Sequence, residues 1–158
     1  MPKPTAYIET TIPNFYYDLR SSEAVTTRRI WTRQWWASAA DKYDLVTSPE
    51  VLMELSAGTS DLVPLRLALI ENLPALPIGL EVTATAMTYI RRKLMPGRPS
   101  GDAFHLALAS HYKCDFIVTW NCKHLANPNK FAHVQHLNRL LGLPVPEIVT
   151  PQELLRRT

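Results

Sequence analysis

An α/β fold with a mainly parallel sheet is the architecture this sequence predicts, and three observations predict it. Short strand-like runs at Ala6–Glu9, Asp44–Thr47, Phe116–Thr119 and Glu147–Val149 alternate with segments of helical spacing. The run Phe116–Thr119 is apolar throughout, as suits a strand buried on both faces. Helix-start signals follow two of the runs directly, Ser48-Pro49-Glu50 and the capping-box pattern Thr150-Pro151-Gln152-Glu153. The length of 158 residues fits a single domain, and no repeat, low-complexity run or linker divides it.

The elements follow in order. Ala6–Glu9 reads as the first strand, with Glu9 at its end, and Thr10–Pro13 as a turn into Asn14–Asp18. Ser21–Asp41 reads as a long helix carrying Ile30, Trp31, Trp35 and Trp36, whose paired tryptophans suit a core or an interface more than a base-stacking surface. After the strand Asp44–Thr47, Ser48 caps a helix through Val51, Leu52, Glu54 and Leu55 that stops near Gly58. Asp61 opens a further helical stretch through Arg66 and Glu71, and a proline-interrupted segment suits a short edge strand at Leu76–Ile78. Glu81–Leu94 is helical and ends in Arg91, Arg92 and Lys93, cations that favour the helix dipole.

Ser100 is then a helix N-cap, with Gly101 and Asp102 in the first turn. Ala103, Leu106, Ala107 and Ser110 form a narrow face of small and apolar residues suited to close packing on a sheet. Lys113 and Cys114 end that helix, and Trp120, Asn121 and His124 lie just past the strand that follows. His133–Leu141 is a short helix, and the strand Glu147–Val149 precedes a terminal helix.

Composition excludes several classes of protein. A chain of this size buries roughly 70% of its unfolded surface and needs neither disulfide nor metal to hold a core. Cys114 and Cys122 are too few for a disulfide framework, so a reduced, cytoplasmic setting is expected. Met1–Thr11 has no apolar signal-peptide core, and no apolar run approaches the ~20 residues of a membrane span. The net charge of +3 and pI of about 9.0 make a polyanion a more natural ligand than a cation. No glycine-rich phosphate loop is present, and Cys114, Cys122 and His124 do not match a zinc spacing.

Three acids share a structural address. Glu9 ends the first strand, Glu54 lies early in the helix after the second, and Asp102 starts the helix before Phe116–Thr119. In a parallel sheet all three meet at the C-terminal edge, where Asn121 also falls. Clustered carboxylates repel unless a cation or a proton relieves them, and oxygen ligands of this kind suit magnesium or manganese. Each residue also has an ordinary reading. Asp102 favours a helix dipole, Glu54 suits a solvated helix face beside Glu50, and Asn121 suits a turn. His105, one turn past Asp102, is either a site residue or a structural one. Arg91, Arg92, Lys93 and Arg98 precede Asp102, and Lys123 and His124 follow Asn121, positions that suit phosphate contacts or plain solvation. Trp120 suits either base stacking or the core.

The segments YIETTIPNFYYD, VTSPEVLMEL, GDAFHLALA and DFIVTWNCKHLAN, in this order, together with the ending IVTPQELL, resemble the PIN-domain fold. The resemblance is greatest to PIN toxins of the virulence-associated protein C (VapC) type. It implies a three-layer α/β/α domain whose acids bind Mg2+ or Mn2+ and cut RNA. On that basis Glu9, Glu54 and Asp102 stand at the family's acidic positions. Asn121 stands where many members carry a further aspartate, and Thr119 orients the site. Arg91, Arg92, Lys123 and His124 are the RNA-backbone candidates. The resemblance also implies a small antitoxin protein as partner and a homodimer as working unit. Two departures, glutamate at position 9 and a neutral amide at 121, motivate the rival reading of a catalytically weak or inactive module that binds RNA or protein.

Overall fold

The computed structural model describes residues 2–157. Four short strands, β1 (Thr5–Ile8), β2 (Asp44–Val46), β3 (Phe116–Val118) and β4 (Glu147–Val149), form one sheet in the order β2-β1-β3-β4. Every pairing is parallel: Tyr7 lies opposite both Val46 and Ile117, and Ile117 lies opposite Ile148. Successive side chains of a strand point to opposite faces. Ala6, Tyr7 and Ile8 are all fully buried, as are Ile117 and Val118, so helices cover the sheet on both faces. This is the α/β architecture that the alternation of runs predicts.

The helices are α1 (Thr11–Tyr16), α2 (Glu23–Lys42), α3 (Pro49–Ser56), α4 (Val63–Ile70), α5 (Leu80–Arg91), α6 (Asp102–His111), α7 (Phe131–Leu141) and α8 (Pro151–Arg156). Their starts follow from local chemistry. Ser22 Oγ accepts from Val25 N–H, Ser48 Oγ from Val51 N–H and Thr150 Oγ1 from Glu153 N–H, and Pro49 and Pro151 sit where no intrahelical donor is needed. Gly142, at φ 70°, closes α7 in the left-handed conformation that a side chain resists.

Four expectations need correction. Thr11–Tyr16 is a helix rather than a turn, since Pro13 lies within the first turn, where backbone donors have no partner anyway. Leu76–Ile78 is not a strand. Only a single bridge joins Thr47 to Ala75, because Pro74 and Pro77 lack the donors a ladder requires. Helix α6 begins at Asp102 with Gly101 in the capping position, and Ser100 instead bonds Asp102 N–H in a local turn. Finally, α6 is not packed along one narrow face: every residue from Asp102 to Ser110 is buried. Trp35 is a core residue, 3% exposed, and Trp36 packs against the same core. No helix among the described residues is long and apolar enough to cross a membrane.

Candidate active site

The C-terminal ends of β1, β2 and β3 open onto a common edge, and the start of α6 faces it. Glu9 directly follows β1 and is 3% exposed. Its Oε1 accepts from Thr11 N–H at 3.0 Å, Thr11 Oγ1 at 2.5 Å and Thr119 Oγ1 at 2.6 Å. The two hydroxyls in turn accept backbone donors, Trp120 N–H at 2.8 Å and Asn121 N–H at 2.9 Å. The segment after β3 thereby holds the acid after β1 through two threonines. Burial pushes the Glu9 carboxyl above its usual range, and the His105 charge and these hydroxyls only partly offset it.

Glu54 projects from α3, where Ser48 and Pro49 fix the helix start. Its Oε1 accepts from Thr10 Oγ1 at 2.7 Å and His105 Nε2 at 2.5 Å. Burial raises the Glu54 carboxyl, but the His105 bond and charge, with Thr10 and Arg98, outweigh it and hold the group below its usual value. Asp102 is 6% exposed, and its Oδ1 accepts from Asn121 Nδ2 at 2.9 Å. Asn121 Oδ1 accepts from His124 N–H at 3.1 Å. The amide orientation is therefore fixed from both ends, since a carboxylate needs a donor and a backbone N–H an acceptor.

The three carboxylates share a pattern. Each has one oxygen engaged by protein donors. Among the described residues no donor reaches Glu9 Oε2, Glu54 Oε2 or Asp102 Oδ2, and none of these oxygens is sealed from solvent.

Beneath the acids runs a buried polar chain that the sequence left open. His105 is 0% exposed, and its Nδ1 lies 2.7 Å from the Tyr7 hydroxyl, which lies 2.7 Å from Ser48 Oγ. Because a carboxylate only accepts, His105 Nε2 donates to Glu54. Burial opposes a charge on this imidazole. The Glu54 bond and the charges of Glu9, Glu54 and Asp102 prevail and raise its pKa.

Glu50 also proves to be more than an early helix acid. It is 1% exposed, with Arg98 Nη1 2.8 Å from Oε2 and Nη2 2.8 Å from Oε1. The Arg98 guanidinium lies 4.1 Å from the Phe104 ring centre. Gly101 fits between these groups: a Cβ there would stand 3.1 Å from Glu50 Cγ, Glu54 Cδ and Glu54 Oε1.

Spacing places these residues near the acids without showing their bonds. Glu50 and Glu54 share one helix face at i,i+4, His105 lies one turn beyond Asp102, and Tyr7 shares a strand face with Glu9. Arg91, Arg92 and Lys123 are exposed, and among the described residues no bond joins them to the acids. His124 is half-buried, with Nδ1 3.0 Å from Lys130 Nζ.

A covered parallel sheet with acids gathered at its carboxyl edge places this protein among α/β proteins that present their chemistry at the ends of their strands. The chain belongs to the PIN domain family, whose sequence model matches residues 17–124, more than half of its length. That span holds Glu54, Asp102, Thr119 and Asn121, while Glu9 and Thr11 precede it. Among solved structures, the chain is similar to one in the crystal structure of VapBC2 from Rickettsia felis bound to a DNA fragment from their promoter. That similarity has a TM-score of 0.55 at 14% identity and covers 92% of this chain and 98% of that one. At this identity the likeness speaks for the fold. No curated protein matches the chain.

Proposed function

We propose that the protein is a divalent-metal-dependent endoribonuclease of PIN type, acting in the cytoplasm as the toxin of a toxin–antitoxin pair. The observation that carries this reading is the shared state of Glu9, Glu54 and Asp102, each with one oxygen fixed by the protein and the other without a protein donor among the described residues. Such oxygens are hard donors for Mg2+ or Mn2+.

Among the described residues no three acidic, histidine or cysteine side chains form a ready cage. Mg2+ does not require one, since it keeps several waters and is held directly by one or two carboxylates. The donor set fits that mode, with Glu9, Glu54 and Asp102 as the residues that would hold the ion. Asn121 would act mainly through Asp102, to which its amide is bonded. When bound, the ion supplies an activated water for attack on phosphorus and charge neutralisation for the phosphate.

The chain's own contributions support the same chemistry. Thr11 and Thr119 aim Glu9, and His105 aims Glu54. Arg98 neutralises Glu50 and so limits the negative charge that would repel a phosphodiester. The family match supports a nuclease, and the fold shared with a chain of a VapBC2 structure supports a small antitoxin as partner. A homodimer belongs to the same reading.

The test compares cleavage of a mixed single-stranded RNA panel by wild type and Asp102→Asn, prepared identically, with Mg2+, Mn2+ or EDTA. Metal-dependent cleavage by wild type alone is expected. RNA binding without metal-dependent cleavage in either protein would leave a non-catalytic binding module in its place. Co-purification with the product of an adjacent small gene checks the antitoxin assignment.

A further inference from the structure

An aromatic and cationic shelf adjoins the acids on the side of α1 and α2. Trp120 lies between Thr119 and Asn121, the residues bonded to Glu9 and Asp102. It is 5% exposed and anchored at both ends, by its backbone N–H to Thr11 Oγ1 and by its indole N–H to Thr32 Oγ1, each at 2.8 Å. Trp31 stacks on it, with ring centres 6.1 Å apart and planes 18° apart. The Arg28 guanidinium lies 5.2 Å from the Trp120 ring centre and 5.4 Å from that of Phe15. Half-buried Trp31 and Arg28 then line an open groove of about 470 Å³ with Glu23, Ala24 and Thr27.

Arg28 differs from its neighbours in being uncommitted. Arg29 donates to the Asp18 carbonyl, Arg33 to the Tyr16 carbonyl, and Arg98 is paired with Glu50. Among the described residues Arg28 has only its two ring contacts, which leave the N–H donors at the guanidinium edge free. An acid-rich site repels the polyanion it must receive, so a free cation beside it serves a purpose that a solvated surface charge does not. Trp31, stacked on the anchored Trp120 and beside a free guanidinium, matches one ligand chemistry in particular, a planar base joined to a phosphate. Glu23 in the same groove directs the anion to the Arg28 end.

We propose that Arg28 and Trp31 form a subsite for one nucleotide of single-stranded RNA on the α2 side of the acids, with Arg28 on the backbone and Trp31 against the base. The inference rests on the RNA reading above and adds to it a side of entry and two residues that the basic runs in the sequence did not indicate.

The experiment is equilibrium binding of a fluorescently labelled single-stranded RNA, without divalent metal, across a range of salt. Wild type, Arg28→Gln, Trp31→Leu and Trp31→Phe are compared, with folding checked by circular dichroism. Loss of one phosphate contact should lower the slope of log K against log salt by about 0.7 in Arg28→Gln. Trp31→Leu should weaken binding about tenfold at unchanged slope, and Trp31→Phe should restore most of the loss. Wild-type affinity and slope in both Arg28→Gln and Trp31→Leu would overturn the subsite while leaving the nuclease standing. A wild type that neither binds nor cleaves RNA overturns the RNA reading itself, and the subsite with it. A DNA strand of the same sequence is the source control, and tighter binding of DNA than of RNA overturns the assignment to RNA.

Discussion

Replacing His105 with leucine tests whether the buried chain under the acids has the weight its geometry implies. The substitution keeps an apolar body of similar size but removes both polar contacts, the 2.5 Å bond to Glu54 and the 2.7 Å bond to Tyr7. A hydrogen bond to a charged group is worth about 1.5–3 kcal/mol. The Glu54 side chain is 27% exposed and keeps Thr10, so it recovers part of this from water and the lower end applies. The Tyr7 hydroxyl keeps Ser48, which limits its loss to about 1 kcal/mol. The sum is about 2.5 kcal/mol, or roughly 5–10 °C in Tm for a chain of this size. Urea unfolding at fixed pH measures it.

The pH dependence gives a second readout of the same pair. Glu54 is held below its usual 4.5, so its contribution is whole above that pH and is lost as pH falls through the folded value. His105 is held above its usual 6.5, so its contribution is whole below that pH and is lost as pH rises through the folded value. The stability gap between wild type and His105→Leu should therefore be widest between pH 4.5 and 6.5 and narrow on either side. A gap below about 0.5 kcal/mol, or one that does not vary with pH, would refute the argument.

Gly101→Ala places a methyl 3.1 Å from the Glu54 carboxylate, whose bonds to His105 and Thr10 resist displacement. Mn2+ binding, followed by the loss of free-ion EPR signal, should weaken about tenfold for a stability cost of about 1–3 kcal/mol, and unchanged Mn2+ affinity would count against a role for Glu54. Asn121→Asp replaces the 2.9 Å amide–carboxylate bond with two facing carboxylates. Its melting temperature without metal should fall below that of wild type, and the rise on adding Mn2+ should exceed the wild-type rise; a smaller rise would contradict the placement of Asp102 at the ion. Burial, with Asp115 beside it, pushes the Cys114 thiol up to about 12, while Cys122 is exposed. Iodoacetamide at pH 8 should therefore modify Cys122 alone until the chain is unfolded, as peptide mass spectrometry would show.

The sequence made some of this legible and hid the rest for physical reasons. Strand positions could be read because runs such as Phe116–Val118 are apolar and follow a helix end, and the starts of α3 and α8 because serine and threonine caps precede proline. The Leu76–Ile78 expectation failed because apolar character does not supply the ladder donors that two prolines remove. Asp102 and Glu54 could be assigned to one edge from the alternation of strands and helices, which implies a parallel sheet. The burial of Glu50 could not, because it depends on Arg98, whose side chain arrives from a loop 48 residues away. Nor could the pairing of His105 with Tyr7, 98 residues apart, be separated from an ordinary core histidine by spacing.

The central position of β1 has a consequence for synthesis. This strand emerges from the ribosome early, yet one of its two neighbours is β3, and Thr119 reaches Glu9 across 110 residues of chain. A nascent chain ending before residue 116 already contains Glu9, Glu54 and Asp102, but lacks the threonine, the amide and the strand that hold two of those acids in place. Parallel pairing over such distances forms late. The acids are thus held together only once most of the polypeptide has been translated.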